Sequence, residues 1–379
     1  MKNSSSTKII IGIIIGVLAL ITIIILSLPF HRYQGLFPIY WDKTFNSSIQ
    51  YYIQTRPTRN VALITGARQS GKSTVLNQIS EKLQNEGRFV VNVDALEVKT
   101  LDDLVKRIRA AVALGLTQAY NILSTNMITG LNEIQDPQNE TSLPIPSFPN
   151  PALQKPFIAI SSTLESIGNF SEMAVHKFFD TFEAYEELLR PVLIFQNIEY
   201  IYELDSRIIK SAVSRLSRRN HYNDYVPVFV EIKNSHNLIN LETTSSFQVL
   251  TIKPIHDSRT KFVFTNPLFR RSEYRKIFNT FGSHQGTFAR VFEDLRYNVP
   301  IEKSILNIKE EIKQTIQRIG ISKVPSEICS KSEKVLLNFN ETAQLAPLFA
   351  NGYLVLNDGM YVKFMNKEVR TTLCTLPKN

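Results

Sequence analysis

Cysteine is nearly missing from this chain: Cys329 and Cys374 are the two in 379 residues. They have no metal-ligand spacing and allow at most one bridge, so a disulfide-stapled scaffold and a cysteine zinc centre are excluded, and a reducing compartment is the simpler expectation. His221, His236, His256 and His284 pair neither with cysteine nor with one another at helical offsets, which removes a histidine zinc site as well. No Ser-His-Asp arrangement is legible and no internal repeat is present. Charge is absent altogether between Ile9 and Phe30, in the run "IIIGIIIGVLALITIIILSLPF".

What is there begins with that run. At about 1.5 Å per residue it reaches across a hydrocarbon core of roughly 30 Å. It is too long for a signal-peptide core, and "LSLPFHRYQ" offers no small-x-small cleavage site, so residues 9–30 are expected to be an uncleaved single-pass anchor. Gly12 and Gly16 form a G-x-x-x-G, read as a chance spacing. Lys2 and Lys8 on one flank nearly balance Arg32 and Lys43 on the other, so charge does not orient the span. The formal net charge of +9 suits an anionic lipid or nucleic acid, and equally a solvated lysine-rich surface.

The stretch "ITGARQSGKST" (residues 64–74) fits G-x-x-x-x-G-K-[ST] through Gly66, Gly71, Lys72 and Ser73. In such a loop, glycines let the backbone approach a phosphate chain, backbone N–H groups of Ala67, Arg68, Gln69 and Ser70 cradle it, and Arg68 points outward. Lys72 pairs with the β- and γ-oxygens, Ser73 offers its hydroxyl to Mg²⁺, and Thr74 lies near the α-phosphate. The context matches: "NVALI" reads as a buried strand entering the loop, Val75, Leu76, Ile79 and Leu83 predict a helix closed at "NEG", and "RFVVNVDA" predicts a strand ending at Asp94.

Further along, residues 101–128 read as helix, and residues 132–156 as an extended, exposed proline-rich insertion. Phe178, Phe179, Phe182, Tyr185, Leu188 and Leu189 form a core-facing helical stripe. "VLIF", "VPVFVEIKNS" and "FQVLTI" predict three more strands, with a helix over 206–218 between the first two. Alternating strands and helices imply an α/β fold with a parallel, three-layer sheet. Residues 266–319 turn helical, and "YLVL" and "MYVKF" flank Asn357, Asp358 and Gly359 as a hairpin after short helices, the pattern of a winged helix. The expected organisation is a tail and transmembrane anchor (1–30), a juxtamembrane segment (31–59), a P-loop nucleotide-binding domain (60–258), a helical lid (259–319) and a winged-helix-like domain (320–379).

These motifs together resemble the archaeal-type P-loop ATPases of the STAND group, relatives of the AAA+ and origin-recognition ATPases. The resemblance is carried by "LITGARQSGKSTVL", "RPVLIF", "VPVFVEI", "FQVLTIKPI" and "LFANGYLVLNDGMYVKFMNKEVRTTL", over roughly residues 50–375. It implies ATP and Mg²⁺ as ligands. It also implies Asp then Glu after "VLIF", where this chain has Gln196 and Asn197. Two amides keep hydrogen-bonding capacity but no charge, so a metal partner and a general base are both missing, and loss of a base costs about 10²- to 10⁴-fold in rate. By the same resemblance Asn234 would orient water and Arg290 in "GTFARVF" would read the γ-phosphate, while Arg218 and Arg219 fall where a solvated basic turn is the simpler reading.

The expectation is a membrane-anchored ATP-binding switch or scaffold with slow or absent hydrolysis, working with a protein partner or a second copy. One alternative is an active ATPase using a displaced carboxylate from Glu199, Asp94 or Glu231. The other is a membrane-tethered nucleic-acid binder, weakened because Lys334 is the one base in the helices expected between Ser332 and Ala350. The body is expected to face an ATP-containing compartment, the cytosol first and a mitochondrial membrane as the alternative. The sequons at Asn46, Asn139, Asn169 and Asn340 are therefore read as chance matches.

Overall fold

A computed structural model describes residues 43–54, 61–122, 131, 145–168, 172–217, 226–233, 247–252, 269–321, 324–329, 344–356 and 362–376. The expected anchor at residues 9–30 lies outside these, as do Asn234, Arg218, Arg219 and residues 132–144 of the proline-rich insertion. Among the described residues no helix is long and apolar enough to cross a membrane.

In chain order the described elements are α1 (Lys43–Gln54), β1 (Val61–Gly66), α2 (Lys72–Asn85), β2 (Val90–Asp94), α3 (Leu101–Tyr120), α4 (Gln154–Gly168), α5 (Glu172–Ala184), α6 (Glu186–Leu189) and β3 (Val192–Gln196). Then come α7 (Glu199–Leu204), α8 (Ser206–Ser217), β4 (Val228–Glu231) and β5 (Phe247–Ile252). The C-terminal part holds α9 (Arg271–Phe281), α10 (Gln285–Arg296), α11 (Ile301–Ile319), α12 (Ser326–Cys329), α13 (Ala346–Ala350), β6 (Leu354–Leu356), β7 (Val362–Phe364) and α14 (Lys367–Cys374).

The first five strands form one parallel sheet in the order β2-β3-β4-β1-β5. Strand β4 is thus inserted between the loop strand β1 and β3, with Ile64 facing Glu231 in register. Side chains alternate between two covers, as the period of a strand requires. Val61 and Leu63 of β1 and Val228 and Val230 of β4 face a core with α3, α4, α5 and α8. Ala62, Ile64 and Phe229 face α1 and α2 instead. This is the expected three-layer α/β arrangement. The aromatic stripe of α5 is buried as expected, with Phe178 and Phe182 edge to face at 4.9 Å.

Three expectations change. The range read as juxtamembrane contributes α1 to the core, where the Tyr52 hydroxyl donates to the Val228 carbonyl (3.2 Å) and its ring meets Phe229 edge-on. The proline-rich stretch is not extended throughout: Pro151–Leu153 form a 3₁₀ turn leading into α4, with Ala152, Leu153 and Phe157 buried. Asn150 caps that turn by accepting from the Ala152 N–H (2.8 Å), so an Asn-Pro pair read as a break is a helix start. Finally, Cys329 and Cys374 are bonded, their Cα atoms 5.6 Å apart, tying α12 to α14; the pair is not left reduced.

The C-terminal elements enclose a core of their own, built from Tyr274, Ile277, Phe288, Phe292, Ile308, Ile312, Phe349 and Val369 among others. Its antiparallel hairpin β6–β7 pairs as expected, and α14 closes the chain after it. Ala67, in the loop after β1, belongs to this same core, so the phosphate loop is packed against the C-terminal part rather than standing clear of it.

Helix α3 carries a checkable contribution. The Thr100 hydroxyl accepts from the Asp103 N–H at 3.1 Å, with Asp102 and Asp103 in the first turn. Thr100→Ala is expected to lower the unfolding free energy by about 1 kcal/mol, read from the denaturant midpoint at unchanged m-value. An unchanged midpoint would rule the cap out.

Candidate nucleotide site

The loop leaves β1 at Gly66, whose φ of 153° is in a region L side chains rarely adopt and where a Cβ would stand 2.7 Å from Ser70 Oγ. Gly71, left-handed at φ 92°, caps α2, and the helix starts at Lys72 with its free N–H groups directed into the loop. Arg68 is exposed, as expected. Lys72 is 5% exposed, and its Nζ donates to the carbonyls of Gly66 (2.8 Å) and Ala67 (3.0 Å). Burial pushes its pKa down to about 8; Glu231 and Glu199 oppose the shift and Lys233 adds to it.

A cavity of about 970 Å³ opens on this loop, near the upper end of the range for small-molecule sites. One wall is the run from Arg68 to Thr74. The opposite wall is α10, with Gly286 and Arg290, together with the turn at Asn351 and Gly352. The two walls touch closely. His284, which caps α10, shares a hydrogen bond between Nε2 and the Arg68 carbonyl (2.8 Å), and the Arg68 N–H donates to the Gly352 carbonyl (3.3 Å). A Cβ on Gly286 would stand 2.3 Å from that of Gln69, and one on Gly352 2.6 Å from that of Arg68, so glycine is what permits both approaches. His284 is fully enclosed, and burial lowers its pKa to about 4.

The structure separates the candidate carboxylates and amides. Gln196 and Asn197 do not line the cavity. The Gln196 amide donates to Asn77 Oδ1 (2.6 Å) and Asn92 Oδ1 (2.9 Å), and the Asn197 amide donates to Asp94. Asp94 also accepts from the Leu96 N–H and so serves the turn after β2. Glu199 accepts from the Lys233 N–H. Glu231 alone of these reaches the loop: the Ser73 hydroxyl donates to its Oε1 at 2.8 Å. Glu231 is 1% exposed, and its Oε2 has no partner among the described residues.

Arg290 lies on the cavity wall and pairs with Glu311 of α11. Lys233, His284, Gly286 and Gly352 were not singled out by motif reading. Lys233 had a signal, a base just past the end of a strand next to the loop strand, where α/β folds collect ligands. The other three had none, because their role depends on which distant backbone they touch.

Oxygen donors suit Mg²⁺, and the Ser73 hydroxyl beside an orphaned, buried carboxylate oxygen is such a set. Bound there, the ion would neutralise charge on the β- and γ-phosphates.

Comparison with known proteins agrees with this geometry. A family model described as an AAA domain matches residues 58–141. No curated protein matches the chain in sequence. Among solved structures, the chain is similar to the Walker-type ATPase of Pyrococcus abyssi, with 12% identity and a TM-score of 0.53 over 88% of this chain and 96% of that one. It also aligns with Cdc6p from Pyrobaculum aerophilum, at 9% identity and a TM-score of 0.40 over 90% of this chain and 95% of that one. The likeness to the Walker-type ATPase, together with the five-stranded parallel sheet, shows an α/β P-loop fold, and the AAA-domain match is confined to residues 58–141.

Proposed function

We propose that this protein binds ATP with Mg²⁺ at the loop formed by residues 66–74 and uses the bound state to set how its C-terminal helices sit on that loop. One observation carries the reading: a single cavity is walled by the phosphate loop on one side and by α10 and the Asn351–Gly352 turn on the other. A triphosphate held by Lys72 and the start of α2 would also meet Arg290 and Lys233, so its affinity would depend on the arrangement of both parts, which is what a ligand needs in order to shift a conformational equilibrium. The C-terminal part acts as lid and winged-helix-like unit, presenting a surface to a protein partner, and residues 9–30 tether the molecule to a membrane.

Hydrolysis is slow in this reading. Gln196 and Asn197 carry amides where the resemblance expects acids, Asp94 beside them is engaged by the Asn197 amide and the Leu96 N–H, and Glu231 is engaged by the Ser73 hydroxyl. The finer kinship, to the STAND branch of archaeal-type ATPases, belongs to the same proposal. Titrating the full chain with a fluorescent ATP analogue, displaced by unlabelled ATP and by GTP, tests it. Saturable binding displaced by ATP is expected, with turnover at least a hundredfold below that of an ATPase with an intact acidic pair. No saturable binding would remove the proposal, and turnover of several per second would remove its switch form in favour of the displaced-carboxylate ATPase.

A further inference from the structure

We infer that Glu231, on β4, is the carboxylate that serves the metal in this protein, in place of the acid missing at the end of β3. The inference rests on the nucleotide reading above and adds which residue completes the metal site. Three observations carry it. The loop serine, which supplies the hydroxyl for the ion, donates its hydrogen bond to Glu231 Oε1 at 2.8 Å. Glu231 is 1% exposed, yet its second oxygen meets no donor among the described residues, an expensive state for a carboxylate unless a positive group arrives. Lys72 does not take that place: it directs hydrogen bonds to the carbonyls of Gly66 and Ala67.

The sheet order explains how the role moves. Because β4 lies directly beside β1, Glu231 sits one strand nearer the loop than anything on β3. Gln196, at the end of β3, is held in a cluster of three amides with Asn77 and Asn92. Asn197 is turned toward Asp94. Both contacts are donated by amide N–H groups, so the side chains at the end of β3 are held at these partners and away from the loop. The cavity wall carries Arg68, Lys72, Lys233 and Arg290 against Glu231 and Glu293, and Glu293 is half exposed beside Arg296. Glu231 is the acid placed to hold an ion against the phosphates rather than in solvent.

The test uses binding rather than turnover. The affinity of the full chain for a non-hydrolysable ATP analogue is measured in EDTA and in Mg²⁺, and bound Mn²⁺ is followed by electron paramagnetic resonance. In the wild type the divalent ion is expected to tighten binding. Glu231→Gln should lose at least tenfold of that gain and its bound Mn²⁺ signal, while metal-free affinity stays equal or rises because a negative charge has left the phosphate side. Gln196→Ala should leave both readouts unchanged. Glu231→Asp, which keeps the charge but shortens its reach, gives an intermediate loss and serves if the glutamine variant does not fold. Wild-type metal dependence in both Glu231 variants, or its loss in Gln196→Ala, overturns the assignment. Binding of the analogue in EDTA with no gain from metal sinks this inference and spares the nucleotide site; no binding under either condition ends both.

Discussion

Lys72→Ala is expected to weaken ATP binding by roughly 10- to 150-fold, the equivalent of about 1.5–3 kcal/mol for hydrogen bonds from a charged donor. The ammonium is buried at the start of α2 and already has its pKa lowered to about 8 by desolvation. Charged phosphate oxygens are stronger acceptors than the two backbone carbonyls it now reaches, so the exchange on nucleotide binding is favourable. Alanine removes that gain and leaves the backbone cradle and the helix terminus in place, which is why residual binding is expected rather than none. Calorimetric titration of wild type and variant, with thermal unfolding as a control on folding, measures the ratio. Equal affinities would mean that the nucleotide, if bound, lies elsewhere.

The second large effect is on stability in acid, through His284. This imidazole is buried between the start of α10 and the phosphate loop, facing the Arg68 carbonyl, Thr287 and the nearby charge of Lys72. Desolvation is the main cause of its fall from 6.5 to about 4; Lys72 adds to it, and the Arg68 carbonyl works the other way. Between these two values the unfolded chain binds a proton that the folded chain refuses. The contribution is therefore full above pH 6.5, declines as the pH drops, and is gone below about 4, a loss of about 3 kcal/mol at 1.36 kcal/mol per unit. His284→Gln keeps an amide able to meet the Arg68 carbonyl and has nothing to titrate. Denaturant unfolding at pH 7 and pH 4.5 is expected to show a clearly smaller acid loss in the variant than in the wild type. Identical pH dependence would show that His284 is not what resists protonation at this contact.

The two predictions meet at one place, since Arg68 and Lys72 lie four residues apart in the same loop. Glycines allow α10 and the Gly352 turn to lie against it. A shift of the loop on nucleotide binding would be felt first by α10 and the Gly352 turn, which touch it.

Much of this was legible in the residues themselves. The loop spacing, the buried strand before it and the helical stripe after it located the phosphate cradle, because the backbone geometry of such a loop is dictated locally by Gly66 and Gly71 and by the period of α2. Phe247–Ile252 is a strand end to end, as its apolar run predicts, and the aromatic stripe of α5 is core. The proline-rich stretch 132–156 departs from expectation at its C-terminal end because proline breaks a helix in the middle but suits its first turn. That Gln196 and Asn197 are uncharged is plain in the motif; that their amides point to Asn77, Asn92 and Asp94 is not.

Composition, spacing and period alone determined the α/β class, the phosphate loop and the lack of an acid at positions 196 and 197, since each is a property of neighbouring residues. Only the tertiary structure decided that Glu231 meets Ser73 across 158 positions, that His284 meets Arg68 across 216, and that Cys329 is bonded to Cys374. Those pairings depend on β4 entering the sheet beside β1 and on the C-terminal core closing over Ala67. Contacts between residues far apart in the chain are set by how whole elements pack, and a local pattern carries no record of which element will become its neighbour.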